Sequence, residues 1–522
     1  MALERLNRLD EAADAFHKAT WSAETAGAAY YHLACISVRK GELNQALAFA
    51  DESLIRGWHD MRCRALKAGI LYHLDGDLRP FLRESLAIDP LYFGLLYRSS
   101  KPEAFARSAA RVENWLNTAL ELLDFGFDAD AASLLTRCPF AHPMLRYAHA
   151  FAEARLRHTG EALRQARLGE QLPTDGCFPN RIAERFILDK AIALLEEAGE
   201  KAPMAHYYAG ELLYDKRQYT EAFAHWRTAV QQKPVLAPAW RCLSIADYNH
   251  GDRELAAAEI AEACRLEPGN SRFLLEQDQL LKRLGKPVQE RLALLEAHRE
   301  LLGDRYALML AYVSLLNAAH QHEKALEILE TYTFHVWEGG EGKVADEYKA
   351  ALFALAEQAL ADGTPESLRE AIALADRTRT YPSNLGEGKL DNVPDNRADY
   401  LCGCAWRALG EEEKARACFI RATAGPRTPE PVRYYNDQPS DYIYDQGMAF
   451  HALGDDEQAK KSFHQLITFG ERHLFDRVSY DFFAVSMPEL EVYQDDIQQR
   501  SDDYCRRLIA LGRKGLSEIG SR

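Results

Sequence analysis

No stretch of this sequence approaches the roughly 20 consecutive apolar residues that a membrane-crossing helix requires, so no membrane partner is expected. The opening residues, Met1-Ala-Leu-Glu-Arg-Leu-Asn-Arg8, interleave charges with leucine and lack the apolar core of an export signal. Cations are in deficit: 63 Lys and Arg stand against 79 Asp and Glu, a formal charge of −16. Phosphate neutralisation needs the opposite balance, so nucleic acid is not an expected partner, and neutral or basic ligands fit better. The ten cysteines are scattered, most of them within helical stretches, and Cys402 and Cys404 match neither a CxxC pair nor a zinc-ligand spacing. They read as small packing residues in a reducing, cytoplasmic compartment. HExxH, GxSxG and GxGxxG are all missing, and no cofactor is expected. His320-x-His322 could face one metal only in an extended segment, because on a helix the two side chains diverge. No metal is expected there.

What the sequence does contain is a repeat. Ala222 and Ala256, Trp226 and Ile260, Ala229 and Ala263, and Pro234 and Pro268 are each 34 residues apart. That is the period of the tetratricopeptide (TPR) helix pair. Small residues such as Gly210, Ala222 and Ala256 let paired helices approach closely, while Trp226 and Ile260 fill the space between pairs. Pro234 and Pro268 lack the N–H that a continuing helix would use. The predicted fold is all-α, a TPR-like α-solenoid in which antiparallel helix pairs wind into a right-handed superhelix. Residues 1–200 read as degenerate repeats, 201–333 as regular units, and 334–522 as units carrying insertions. Ala12, Phe16 and Ala19 match a second helix whose first helix is missing or very short, so the chain is expected to start inside a larger array, the alternative being a lone helix that acts as the cap.

The repeat is interrupted between Thr333 and Asn396. Two segments there, Trp337-Glu-Gly-Gly-Glu-Gly-Lys343 and Tyr381-Pro-Ser-Asn-Leu-Gly-Glu-Gly-Lys389, each carry Gly-Glu-Gly-Lys followed by an aliphatic residue. One helix pair, 348–361 and 365–378, fits between them. Glycines beside a Glu permit close backbone approach and anion-binding concavities. The Glu could cap a helix N-terminus or meet a ligand, and the Lys could anchor the loop to a carboxylate. The loops therefore read either as rigid turns or as a binding wall. The wall would consist of His335, Trp337, Glu338, Glu341, Lys343, Tyr381, Asn384, Glu387 and Lys389. Two further stretches mix aromatics with acids and amides, around Tyr434–Tyr444 and Ser479–Pro488. They add Tyr435, Asp441 and Tyr480 to the candidates, unless such rings simply pack the C-terminal helices.

Those two loops, with Phe482-Phe-Ala-Val-Ser-Met-Pro488, resemble bacterial TPR proteins whose arrays follow an N-terminal β-sandwich similar to a galactose-mutarotase-like module. The resemblance implies that such a sandwich would precede this chain as a partner domain, and that carbohydrate metabolism is the setting. It carries over no catalytic residues. The leading functional expectation is a binding scaffold whose groove holds a protein or peptide segment, or a carbohydrate. The alternatives are a glycoside-active enzyme using Glu341 and Glu387 as paired carboxylates, and a purely structural scaffold.

Overall fold

The computed structural model describes residues 2–99, 102–336, 340–391, 393–431, 437–479 and 492–520, and every regular element among them is helical. The helices pack as antiparallel pairs, and the contact that sets their spacing is legible in three of them. Gly210 and Trp226, Gly403 and Phe419, and Gly447 and Phe463 each lie sixteen residues apart, one on the first helix of a pair and one on the second. A Cβ on any of these glycines would fall 2.5–2.6 Å from the ring opposite. The absent side chain is therefore what lets an aromatic lie flat between the two helices. Ala222, Ala256, Ala415 and Ala459, the small residues of the second helices, are all fully buried.

The turn inside a pair needs one residue in left-handed conformation. Gly41, Gly410 and Gly454 supply it at no steric cost, but Arg157, Arg217 and His320 occupy the same turn of other pairs with φ of 63°, 60° and 59°. Glycine is thus a preference at this position and not a requirement, even in the regular unit that carries Arg217. His320 and His322 sit on that turn and the first position of the next helix with ring centroids 5.7 Å apart. No group of three potential metal ligands occurs among the described residues.

The chain packs as two compact units, Met1–Leu243 and Ser244–Arg522. Within the first, the pairs Ala23–Lys40 with Leu43–Arg56, Pro143–Arg155 with Thr159–Glu170, and Pro203–Asp215 with Tyr219–Gln232 are the most closely packed. At the start of the chain, the short helix Ala2–Arg5 precedes Leu9–Ala19, with Ala12 buried. Within the second, the helices Lys343–Asp362 and Pro365–Arg377 form the pair lying between the two Gly-Glu-Gly-Lys loops. Asn396–Ala408 with Glu412–Ala422 and Tyr442–Ala452 with Asp456–His473 follow it, and Ile497–Gly520 packs along the last of these. Among the described residues no helix is long and apolar enough to cross a membrane. All ten cysteines are free thiols. Burial pushes the Cys402 thiol up to about 12, as expected of an inert packing residue.

Candidate functional site

The two Gly-Glu-Gly-Lys segments meet, and the second secures the first. Gly342 begins the helix Lys343–Asp362 with φ of 80°, leaving the N–H groups of its first turn without intrahelical partners. Glu387 supplies them: its two carboxylate oxygens accept from the N–H of Gly342 at 2.7 Å and of Ala345 at 2.9 Å. The negative charge also faces the positive end of the helix dipole. Asn384 closes the neighbouring helix, His322–Thr331, by donating to the carbonyls of Leu329 and Tyr332, each at 2.8 Å. Its own carbonyl accepts from the N–H of Phe334 at 2.8 Å. Phe334, three residues before the first segment, and Leu385, from the second, are buried in the same apolar cluster as Leu329, Val344 and Tyr348. Gly386 must be glycine, because its φ is 77° and a Cβ would lie 2.6 Å from the Phe334 carbonyl.

Lys389 is held at 2.5 Å by Asp395, beside Arg379, which also pairs with Asp376 and Asp399. The Glu387 and Lys389 side chains thus occupy the capping and anchoring positions. His335 is exposed, Glu341 is half-buried, and Lys343 opens the capped helix. Trp337, Glu338, Tyr435 and Tyr480 lie outside the described residues, as do Tyr434, Phe482 and Phe483.

Tyr381 and Asp441 lead to a second cluster that spacing alone does not reveal. The first helices of successive pairs, Lys343–Asp362, Asn396–Ala408, Tyr442–Ala452 and then Ile497–Gly520, pack on one another in series. Charged side chains run across them. Glu357 pairs with Arg397 at 2.6 Å. The Tyr444 hydroxyl donates to Glu518 at 2.5 Å, and Lys514 lies over the Tyr444 ring. Asp441 pairs with Arg507 at 3.0 Å.

Beneath this line sits Asp445, only 5% exposed, with no hydrogen-bond or ion-pair partner at contact distance among the described residues. Burial pushes its carboxyl up to about 7, against the nearby positive charge of Arg397; Glu357 and Asp441 push the same way as burial. Tyr442, also buried, feels Asp445, Asp346 and Tyr381. Glu357, Arg397, Asp445 and Glu518 belong to no motif. The available signal was an acid placed within Tyr442-Ile-Tyr-Asp-Gln-Gly447, a segment otherwise suited to a buried helix face.

The strip pairs its acids with as many bases, whereas a cleft of roughly 530 Å³ between the helices His322–Thr331, Lys343–Asp362 and Pro365–Arg377 is lined mainly by acids. Glu323, Glu327, Glu330, Asp362 and Glu370 line the cleft beside Leu326, Leu355 and Leu374. Glu330 is paired with Arg377.

No protein-family model matches this chain. Among solved structures it is similar to yeast Tom70, at 13% identity over 91% of this chain and 95% of that one, with a TM-score of 0.26. It is similar at 13% identity to the C-terminal part of a TPR repeat-containing protein from Cytophaga hutchinsonii, over 60% of this chain and 96% of that one, again with a TM-score of 0.26. A structure of Naa15/Naa10 bound to HypK-THB aligns at 12% identity over 100% and 95% of the two chains, with a TM-score of 0.26. Similarity at this level leaves the functional reading to the chain's own residues.

Proposed function

We propose that this chain is a binding scaffold whose second unit takes an extended partner segment bearing a lysine or arginine. The partner would lie along the strip formed by Glu357, Arg397, Tyr444 and Glu518. The observation that carries this reading is Asp445, a buried carboxyl with no direct partner among the described residues, within the electrostatic reach of charged side chains on consecutive first helices. Ionisable groups perturbed in this way cluster at functional sites more than at ordinary packing positions. A cation arriving over the strip would favour the ionised form of Asp445, and the chain's net charge of −16 would favour its approach. The Gly-Glu-Gly-Lys loops, with Glu341, Lys343, Tyr381, Asn384, Glu387 and Lys389, would act by fixing the helix that carries Glu357. His335, together with Trp337, Glu338, Tyr435 and Tyr480, remains a candidate for direct ligand contact.

The test is an array of Lys- and Arg-containing peptides, with a glycan array beside it, probed with the wild type and two triple variants. Alanine at Glu357, Arg397 and Glu518 is expected to abolish capture of basic peptides. Alanine at Trp337, Glu341 and Glu387 reports on the loops. If capture survives the first set and is lost with the second, the site belongs to the loops. Glycan capture with no peptide capture would replace the peptide reading with the carbohydrate one.

A further inference from the structure

At the start of the second unit, a different set of residues holds a short non-helical piece of the chain's own C-terminal region. Residues 492–495 form no helix, yet Tyr493 is 1% exposed. Its ring meets that of Tyr248 edge to face at 5.4 Å. Its hydroxyl lies 3.0 Å from the Ser244 hydroxyl, which already donates its one hydrogen to the Ala256 carbonyl at 2.7 Å. Tyrosine must therefore be the donor in that contact.

The backbone on either side of Tyr493 is gripped by one side chain. Asn249 donates from Nδ2 to the Val492 carbonyl at 2.9 Å and accepts at Oδ1 from the Gln494 N–H at 2.8 Å. This two-point contact reads peptide backbone and is independent of the side chain between the two bonded groups. Specificity then comes from the tyrosine pocket and from Arg283, whose Nη2 meets Asp495 at 2.7 Å. Asp495 is also paired with Arg500, at 2.7 Å. A buried ring, a hydroxyl partner, a backbone clamp and a charge partner are the parts of a peptide-recognition site.

We infer that Ser244, Tyr248, Asn249 and Arg283 form a peptide-binding site for the pattern Tyr-x-Asp or Tyr-x-Glu in a non-helical conformation. Residues 492–495 are its resident ligand and block it against partner segments of the same pattern. The site shares no residue with the Glu357–Glu518 strip, so either can fail without the other. A tethered competitor acts at an effective concentration on the order of 1 mM, so a free peptide of equal intrinsic affinity is largely excluded.

The experiment uses the full chain and a fluorescent Val-Tyr-Gln-Asp-Asp peptide, which copies residues 492–496. Tyr493→Ala should raise peptide affinity at least about tenfold over the wild type by emptying the pocket. Adding Asn249→Ala to that variant should remove the gain, and a peptide with Ala in place of Tyr should not bind. If Tyr493→Ala loses its helical circular dichroism, Asp495→Asn keeps the ring in place, loosens the Arg283 and Arg500 pairs, and should give a smaller gain of the same sign. A folded Tyr493→Ala chain that does not bind the peptide, or binds it equally with and without Asn249, overturns the assignment. So does a folded Asp495→Asn chain no better than the wild type where it is the variant tested.

Discussion

Replacing Asp445 by Asn should stabilise the second unit at neutral pH and weaken its binding at the same time. An aspartate carboxyl that ordinarily titrates at 3.8 is pushed up to about 7 by burial in the folded chain. The folded state therefore holds the proton more tightly than the unfolded state does. Below pH 3.8 both states are protonated and the group costs nothing. Between pH 3.8 and 7 the unfolded chain releases its proton first, so stability falls as pH rises, and above pH 7 the penalty is constant. A gap of about 3 pH units at 1.36 kcal/mol each sets a ceiling of about 4 kcal/mol.

Asparagine resembles the protonated acid in size and carries no charge. Asp445→Asn should therefore match the wild type at pH 3.5 and exceed it at pH 7.5, by an amount up to that ceiling. Hydrogen exchange of the helix Tyr442–Ala452 at both pH values reads the difference locally, which suits a repeat array that need not unfold in one step. Binding gives the opposite sign. A basic peptide that draws the proton off Asp445 should bind the wild type more tightly as pH rises toward 7, and the Asn variant should lose that slope. A stability difference that is the same at both pH values, or a variant less protected at pH 7.5, would refute the argument from burial.

Two further outcomes test how the helices are set. Glu387→Ala leaves the first turn of Lys343–Asp362 without its carboxylate and should cost about 1–2 kcal/mol in urea denaturation, the usual worth of an N-terminal cap. Glu387→Gln, which keeps one acceptor oxygen and loses the charge, should cost less. Gly447→Ala places a methyl 2.5 Å from the Phe463 ring and should lower stability by about 1–3 kcal/mol, whereas the same change at exposed Gly454, with nothing within 4 Å, meets only its left-handed backbone. Equal thermal shifts for the two glycine variants would argue that ring packing does not set the helix spacing.

The helix pairs were legible because their determinants recur at fixed short spacings. Gly447 and Phe463 meet across a single pair, and any sequence obeying that contact advertises it. The prolines at 234 and 268 marked helix ends for an equally local reason, since helix stops at Gln232 and Leu266 just before them. The candidate site was not legible in this way. Arg397 influences Asp445 from the preceding pair, and Ser244 meets Tyr493 across most of the second unit, so neither contact leaves a periodic trace. The loops were visible as departures from the repeat, but their residues admitted two roles. Glu387 could cap or could bind, and nothing in its neighbours' identities distinguishes a carboxylate pointing at backbone N–H groups from one pointing at solvent.

The length of the capped helix shows why the loops matter to the strip. Lys343–Asp362 has 20 residues, while the corresponding first helix Asn396–Ala408 has 13. The extra residues extend it by about 10 Å at 1.5 Å each. An extension of that kind is stable only if its end is capped and its added face covered. Glu387 meets the first need. Val344, Ala345 and Tyr348, all buried, meet the second, with Leu385 and Phe334 in the same apolar cluster as Val344 and Tyr348. The added turns carry Asp346, whose charge reaches Tyr442 on the helix that also bears Asp445. Loss of the Glu387 cap should therefore be felt first at the N-terminal end of that helix and then at Tyr442. Fraying confined to the first turn, with exchange at Tyr442–Ala452 unchanged, would separate the loops from the strip.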